Sequence, residues 1–258
     1  MKGKVALITG SATGLGKMTA LTLARQGCHI ALNYVNSKDE ASALKQEIEG
    51  MGVQAIAVKA DIAVEEELYR LVEQTESTLG NVDILINNAG PFIRERKLFS
   101  QYNRNEIVHL VNGNLTSVML LDHLVLPSMR EKKWGRIIHF GFGHAGEARS
   151  WPHRSVYAAA KVGLVSFTKT LAVEEASYGI TINMVCPGDI RGANKEKTID
   201  EVTGIMDELT PLGRSGSGED IARVIEYLCL DKSDFITGNI MDISGGLDPI
   251  RPRIIPEQ

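Results

Sequence analysis

Tyr157 and Lys161 stand four residues apart in "SVYAAAKVGLVSFTKTLAVEEA", a stretch with helical periodicity, which puts them side by side on one helix face. A phenol with its ordinary pKa of ~10 exchanges protons poorly near neutrality unless a cation favours its phenolate. Lys161 is placed to be that cation, so the pair can pass a proton to or from a bound group. A lone Y-x-x-x-K spacing is also common in ordinary surface packing and gains meaning only from companions. One companion opens the chain: "TGSATGLGKMTALTLARQG" spaces Gly10, Gly14 and Gly16 as G-x-x-x-G-x-G between an apolar strand and a helix. Glycines there let the backbone turn tightly against a pyrophosphate, whose charge suits the free N–H groups of a helix N-terminus. Strand, turn and helix together predict a dinucleotide site.

The second strand should end at the adenosine ribose, where the sequence reads Leu32-Asn33-Tyr34-Val35-Asn36-Ser37-Lys38. An NAD site wants a carboxylate here for the ribose 2′-hydroxyl, and none occurs before Asp39. Asn33, Ser37 and Lys38 would instead donate to a 2′-phosphate, which favours NADP (NADPH). The competing reading is a plain solvated turn, and the phosphate turn has no arginine or lysine to strengthen the NADP case.

The elements that position these groups follow from alternation. Short β-branched runs recur as "VALIT", "HIALNY", "VQAIAV", "VDILIN", "GRIIHF", "GITINMV" and "NIMDI", with helix-period stretches such as "DEASALKQEIEGM" and "EEELYRLVEQTESTL" between them. That order predicts an α/β fold: a Rossmann-like, doubly wound parallel sheet with helices on both faces, in a single domain over 1–258. Two segments interrupt it, a polar insert at 189–213 that could form a lid, and a tail at 247–258 whose prolines forbid a regular helix.

Composition narrows the partners. With 258 residues, 43% of them hydrophobic, the chain can bury one large core. Twenty-eight basic residues against 32 acidic ones give a net charge of −4, so neither a nucleic acid nor an anionic membrane is expected as a partner. Three scattered cysteines, with no C-x-x-C, suggest buried thiols in a reducing cytoplasm and no metal site. The apolar run at the start is too short for a signal peptide or a membrane span.

Taken together, "TGSATGLG", Asp61 after the third strand, "NNAG" ending at Gly90, Asn114 in "NLTS", "YAAAK", "CPGDI" and "ISGG" resemble the classical short-chain dehydrogenase/reductase family over nearly the whole chain, and most closely its 3-oxoacyl-[acyl-carrier-protein] reductases. The resemblance implies a seven-stranded sheet, a nicotinamide cofactor and a homotetramer. It implies cofactor contacts at Ser11, Thr13 and Leu15 in the turn and at Asp61 and Ile62 by the adenine. It adds Asn87, Ala89, Gly90, Tyr157, Lys161, Pro187, Gly188 and Ile190 around the nicotinamide half, and makes Asn114 the anchor of a water chain to Lys161. Asn114 also reads as a polar residue where a long helix bends.

The pattern fails at "HFGFGHAGEARSW". The family keeps a catalytic serine directly after the strand that reads "GRIIHF" here; aligned from that strand, the position falls on Phe142. Counted back thirteen residues from Tyr157, the usual separation, it falls on His144. Neither carries a hydroxyl. An imidazole N–H can donate to an oxyanion, so His144 is a candidate substitute aimed at the Tyr157 hydroxyl, against the alternative of a loop residue in water. Ser155 reads as the cap of the helix. A second departure is Gly192, near the place of a threonine that contacts the nicotinamide amide. Phe92, Phe142, Trp151 and the insert should line an apolar pocket with basic accents from Arg94, Arg149 and Arg154. The family's carrier-protein dock is half missing, with Lys133 present but Tyr178 at the second basic position. The expected activity is NADPH-dependent reduction of a 3-oxoacyl thioester or a small ketone. The alternative is a catalytically weak or inactive cofactor-binding, sensor or assembly subunit.

Overall fold

The computed structural model describes residues 1–250; the remainder of the proline-containing tail lies outside the described residues. Seven strands form one parallel sheet: β1 (Val5–Ile8), β2 (His29–Tyr34), β3 (Ala55–Lys59), β4 (Ile84–Asn87), β5 (Gly135–Phe140), β6 (Ile180–Pro187) and β7 (Ile240–Ile243). Their order across the sheet is β3-β2-β1-β4-β5-β6-β7. β1, β2, β4, β5 and β7 fall within the apolar runs that predicted them, while β3 runs one residue past its run, to Lys59, and β6 two past, to Pro187; strands in a sheet covered by helices on both faces favour such runs.

Alternate residues serve opposite layers, as the pleat requires. Ala6 and Ile8 of β1 join the core shared with α1 (Gly14–Arg25), α2 (Lys38–Gly50) and α8 (Gly218–Cys229). Leu7 joins the other core, with α3 (Glu65–Leu79), α5 (Ser117–Lys132) and α6 (Ser155–Glu175). The apolar length of α6 would suit a membrane span, but it is half buried against the fold. Between them, α4 (Arg104–Val111) runs into α5 through a π-helical turn at Asn112–Thr116, which makes the bend expected around Asn114.

Winding reverses between β1 and β4, and crevices for ligands open beyond the carboxyl ends of strands at such a point. The polar insert lies over that crevice as a short 3₁₀ turn (Gly192–Glu196) and a single helical turn, α7 (Ile199–Val202). Cys28, Cys186 and Cys229 are buried free thiols.

Candidate active site

The glycine turn leaves β1 with Gly10 at φ +60° and Gly14 at φ +63°, a region that side chains disfavour. Gly16 is fixed by space: a Cβ there would lie 2.5 Å from the Gly10 carbonyl oxygen. Asn88 braces the turn from β4, its Nδ2 donating to the carbonyls of Thr9 (2.8 Å) and Gly10 (3.0 Å). Sequence reasoning passed over Asn88, although it lies within "NNAG".

Two expected cofactor contacts are instead structural. Asn33 is buried; its Oδ1 accepts from the Gly10 N–H at 3.0 Å and its Nδ2 donates to the Ala60 carbonyl at 2.9 Å. That side chain ties the turn to β2 and β3 and has no donor left for a 2′-phosphate. The Ser11 hydroxyl donates to the Ile8 carbonyl and accepts from the Asn33 N–H. Tyr34 and Ser37 stay half-buried at the end of β2, and Lys38 is exposed as the first residue of α2. No carboxylate enters this corner before Asp39. Asp61 follows β3 with its Oδ1 accepting from the Ala63 N–H, and Ile62 beside it is buried. Ala89 donates its N–H to the Thr9 hydroxyl, and the Ile190 N–H closes on the Gly188 carbonyl. Thr13 precedes α1 as an exposed residue whose side chain makes no capping bond.

Beyond the turn lies a cleft with about 410 Å³ of open space, lined by Leu15, Asn88, Gly90, Phe92, Asn114, Phe142, Trp151, Tyr157, Lys161, Pro187, Gly188, Ile190 and Pro249 among others. It brings together residues from distant parts of the chain that motif reading had assigned one by one. Lys161 is buried and donates from Nζ to the Phe140 carbonyl at 2.8 Å. Burial lowers its pKa from the ordinary value to about 8. Burial also pushes the Tyr157 phenol well above its usual range, so the expected lowering of Tyr157 by Lys161 is not found in the protein alone. Tyr157 is therefore held in its protonated, donating form. Asn114 is fully buried, with Nδ2 donating to the carbonyls of Pro91 (2.8 Å) and Leu110 (3.0 Å) and an Oδ1 that has no protein partner.

The loop after β5 answers the question of the missing hydroxyl. Phe142, not His144, stands beside the tyrosine, its ring centroid 6.1 Å from that of Tyr157. His144 is set in the left-handed region (φ 64°) with its N–H on Asp242 Oδ1 at 2.7 Å and its Nδ1 on Glu147 Oε1 at 2.7 Å. The expected substitute donor is thus corrected: the Glu147–Arg149 pair holds the imidazole and Asp242 holds the backbone N–H, and His144 is not among the residues that line the cleft. Arg149 in turn reaches Asp248 at 2.5 Å, fastening the tail beside the loop. Ser155 is likewise no cap; it is the first residue of α6, Arg154 precedes it, and no side-chain capping bond forms.

Below the loop lies a buried polar chain that the sequence did not announce. Asn87 Nδ2 donates to Asp122 Oδ1 at 2.9 Å, and Asp122 Oδ2 lies 2.8 Å from His139 Nε2. His139 Nδ1 lies 2.8 Å from the Thr168 hydroxyl, which spends its own proton on the Leu164 carbonyl. With that hydroxyl donating to Leu164, its oxygen is left to accept from the imidazole. The chain links β4, α5, β5 and α6 directly beneath Lys161.

At the N-terminus of α1 the Gly14 N–H donates to Glu196 Oε1 at 2.7 Å, and Lys17 binds the other oxygen at 2.8 Å. Burial alone would raise the Glu196 carboxyl, yet these two partners hold it below its ordinary pKa. The turn thus already receives an anion, supplied by the polar insert. A strained glycine turn that accepts a carboxylate, an unpartnered acceptor on Asn114 and a buried lysine beside a tyrosine fit a dinucleotide with its nicotinamide end at Tyr157.

Comparison with known proteins agrees in kind. Residues 10–248 match the family model described as enoyl-(acyl carrier protein) reductase. The chain is 46% identical over 246 residues to Bacillus subtilis YtkK, provisionally named an oxidoreductase, covering 95% of this chain and 96% of that one. It is 36% identical over 249 residues to the 3-oxoacyl-[acyl-carrier-protein] reductase FabG of Staphylococcus epidermidis, covering 95% and 98%. Among solved structures, a Bacillus thuringiensis chain provisionally named a 3-oxoacyl-reductase superposes with a TM-score of 0.90 at 45% identity, covering 96% and 99%. A blue fluorescent protein from a metagenomic library, in complex with NADPH, superposes at 0.82 and 32% identity, covering 95% and 98%. A 7α-hydroxysteroid dehydrogenase complexed with NADH superposes at 0.84 and 30% identity, covering 96% of each.

Proposed function

The chain belongs to the short-chain dehydrogenase/reductase family, and on that footing we propose that it is an NADPH-dependent reductase of carbonyl compounds, with a 3-oxoacyl thioester or a small ketone as substrate. The observation that carries this reading is Tyr157, protonated and facing the cleft, with Lys161 fixed against Phe140 behind it. A bound nicotinamide would supply the hydride. The chain's own residues do the rest: Tyr157 donates a proton to the substrate oxygen, Lys161 offers its charge to the phenolate left behind, and the aromatic walls exclude water.

NADPH is favoured over NADH by the end of β2, where no carboxylate opposes a 2′-phosphate and Lys38 is exposed. Asn33 no longer supports that preference. The relatives' names include a 3-oxoacyl-carrier reductase, which keeps acyl thioesters among the candidates. A homotetramer in the cytoplasm, without nucleic acid or membrane as partner, completes the proposal.

Phe142 favours a second reading. With a ring where the family keeps a hydroxyl, the protein could bind cofactor without useful turnover, since losing one oxyanion donor typically costs ~10²–10³ in rate. Stopped-flow oxidation of bound NADPH against ketones, quinones and acyl thioesters decides between them: a burst with any carbonyl supports the reductase, and none with all supports the binding subunit.

A further inference from the structure

We propose that the cleft is built for a flat, uncharged, ring-conjugated carbonyl compound of the quinone class, in place of a linear 3-oxoacyl chain. This rests on the reductase reading and names its substrate.

The first observation is the wall. Phe92 meets Tyr157 edge-on with centroids 4.9 Å apart at 84°, and Trp151 meets it at 6.1 Å and 74°. Phe142 lies 4.8 Å from Trp151 and 6.1 Å from Tyr157. Three rings thus surround the proton donor, and all of them line the cleft. Ring faces reward a flat aromatic guest with dispersion and quadrupole contacts that a flexible acyl chain cannot match.

The second observation is the charge. Arg154, one of the basic residues expected to accent the pocket, stacks its guanidinium over Phe92 at 5.0 Å. Its N–H groups are bonded to the carbonyls of Arg94, Glu95 and His153. That cation stiffens the wall; it is not offered to a ligand.

The third is the donor count. Tyr157 is the one side-chain hydroxyl lining the cleft among the described residues, because Phe142 fills the neighbouring place. Reduction of an isolated ketone concentrates negative charge on a single oxygen, where a second donor counts heavily. A quinone carbonyl is the stronger hydride acceptor, because the second carbonyl withdraws electrons through the ring and loss of the carbon-bound hydrogen afterwards makes the product aromatic, so the step leans less on a second donor. One phenol then suffices. The balance is quinone plus hydride from the reduced nicotinamide plus one proton from Tyr157, giving hydroquinone. The carbon-bound hydrogen from the hydride is lost to water as the second oxygen takes up a proton, and Tyr157 regains its proton from solvent.

The test uses the whole protein loaded with NADP(H), with 1,4-naphthoquinone and the N-acetylcysteamine thioester of 3-oxobutanoate as probes. Calorimetric titration of the NADP⁺-loaded protein gives binding without turnover, and kcat/KM with NADPH gives turnover. The expected result is naphthoquinone preferred by about tenfold or more in both. Phe142→Leu and Trp151→Leu, which keep apolar bulk and so the fold, should each weaken naphthoquinone several-fold more than they weaken the thioester. Preference for the thioester, or equal loss on both probes in the two variants, overturns the proposal while carbonyl reduction stands. If neither probe is reduced, the reductase reading falls and the calorimetry alone decides the ligand class.

Discussion

Lys161 Nζ sits 2.8 Å from the carbonyl oxygen of Phe140, the last residue of β5, so the cation of α6 is anchored to the strand that leads into the Phe142–His144 loop. Helix and loop therefore hold a common position. Substitutions on either should be read through this contact.

Tyr157→Phe should abolish reduction and leave NADPH affinity nearly intact, because the ring and its contacts with Phe92 and Trp151 remain while the proton donor goes. Lys161→Ala should impair both. Single-turnover oxidation of NADPH beside a fluorescence titration measures the two effects, and retention of more than about a tenth of the activity by Tyr157→Phe would displace it as the acid.

Lys161 imposes a pH dependence on stability. Its folded pKa of about 8 lies below its ordinary value, so between about 8 and 10.5 the unfolded chain binds the proton more readily. The lysine therefore opposes folding fully below about 8, and the penalty fades as pH rises toward 10.5, by an amount on the order of 3 kcal/mol. The Tm of Lys161→Met minus that of the native chain should be larger at pH 7 than at pH 10. A difference constant across that window would refute the burial argument.

NADPH should bind at least about tenfold more tightly than NADH, a gap of ~1.4 kcal/mol. Tyr34→Asp should shift preference toward NADH by restoring the carboxylate at the end of β2. Equal affinities for the two cofactors in the native chain would defeat the assignment.

His144→Ala should leave turnover within about twofold, since its ring faces Glu147 and Asp242 and not the cleft. A hundredfold fall in kcat with unchanged cofactor affinity would restore it as the oxyanion donor.

Asp122→Ala should destabilise the protein by about 3–5 kcal/mol, because it leaves His139 and Asn87 Nδ2 buried without their shared partner. Asp122→Asn should cost less. Chemical denaturation of the two variants reads the difference, and equal losses would mean the hydrogen bonds to Asp122 contribute nothing.

The sheet was legible because β1, β4, β5 and most of β6 are buried on both faces and are mostly apolar, although β7 at the edge is only partly covered; even α3 begins and ends where its periodicity does. Tyr157, Lys161 and the glycine turn were legible because their chemistry depends on local spacing. Asn33 was misread because its partners, Gly10 and Ala60, come from β1 and β3, and no local pattern reports them. The slot beside Tyr157 could not be settled by counting: Asp242, 98 residues away, sets the backbone of His144 and with it which side chain turns inward. The chain from Asn87 to Thr168 gave no signal, since each member is an ordinary polar residue until four elements pack together.

The bond from Gly14 to Glu196 makes cofactor loading an exchange reaction. Any phosphate that seats on that N–H must first evict a carboxylate already paired with Lys17, so the free energy of that contact is subtracted from its affinity. The competitor is tethered to the same chain, on the 3₁₀ turn Gly192–Glu196, so its effective concentration at the site does not fall on dilution. The polar insert thus acts as a counterweight to whatever anion the turn receives.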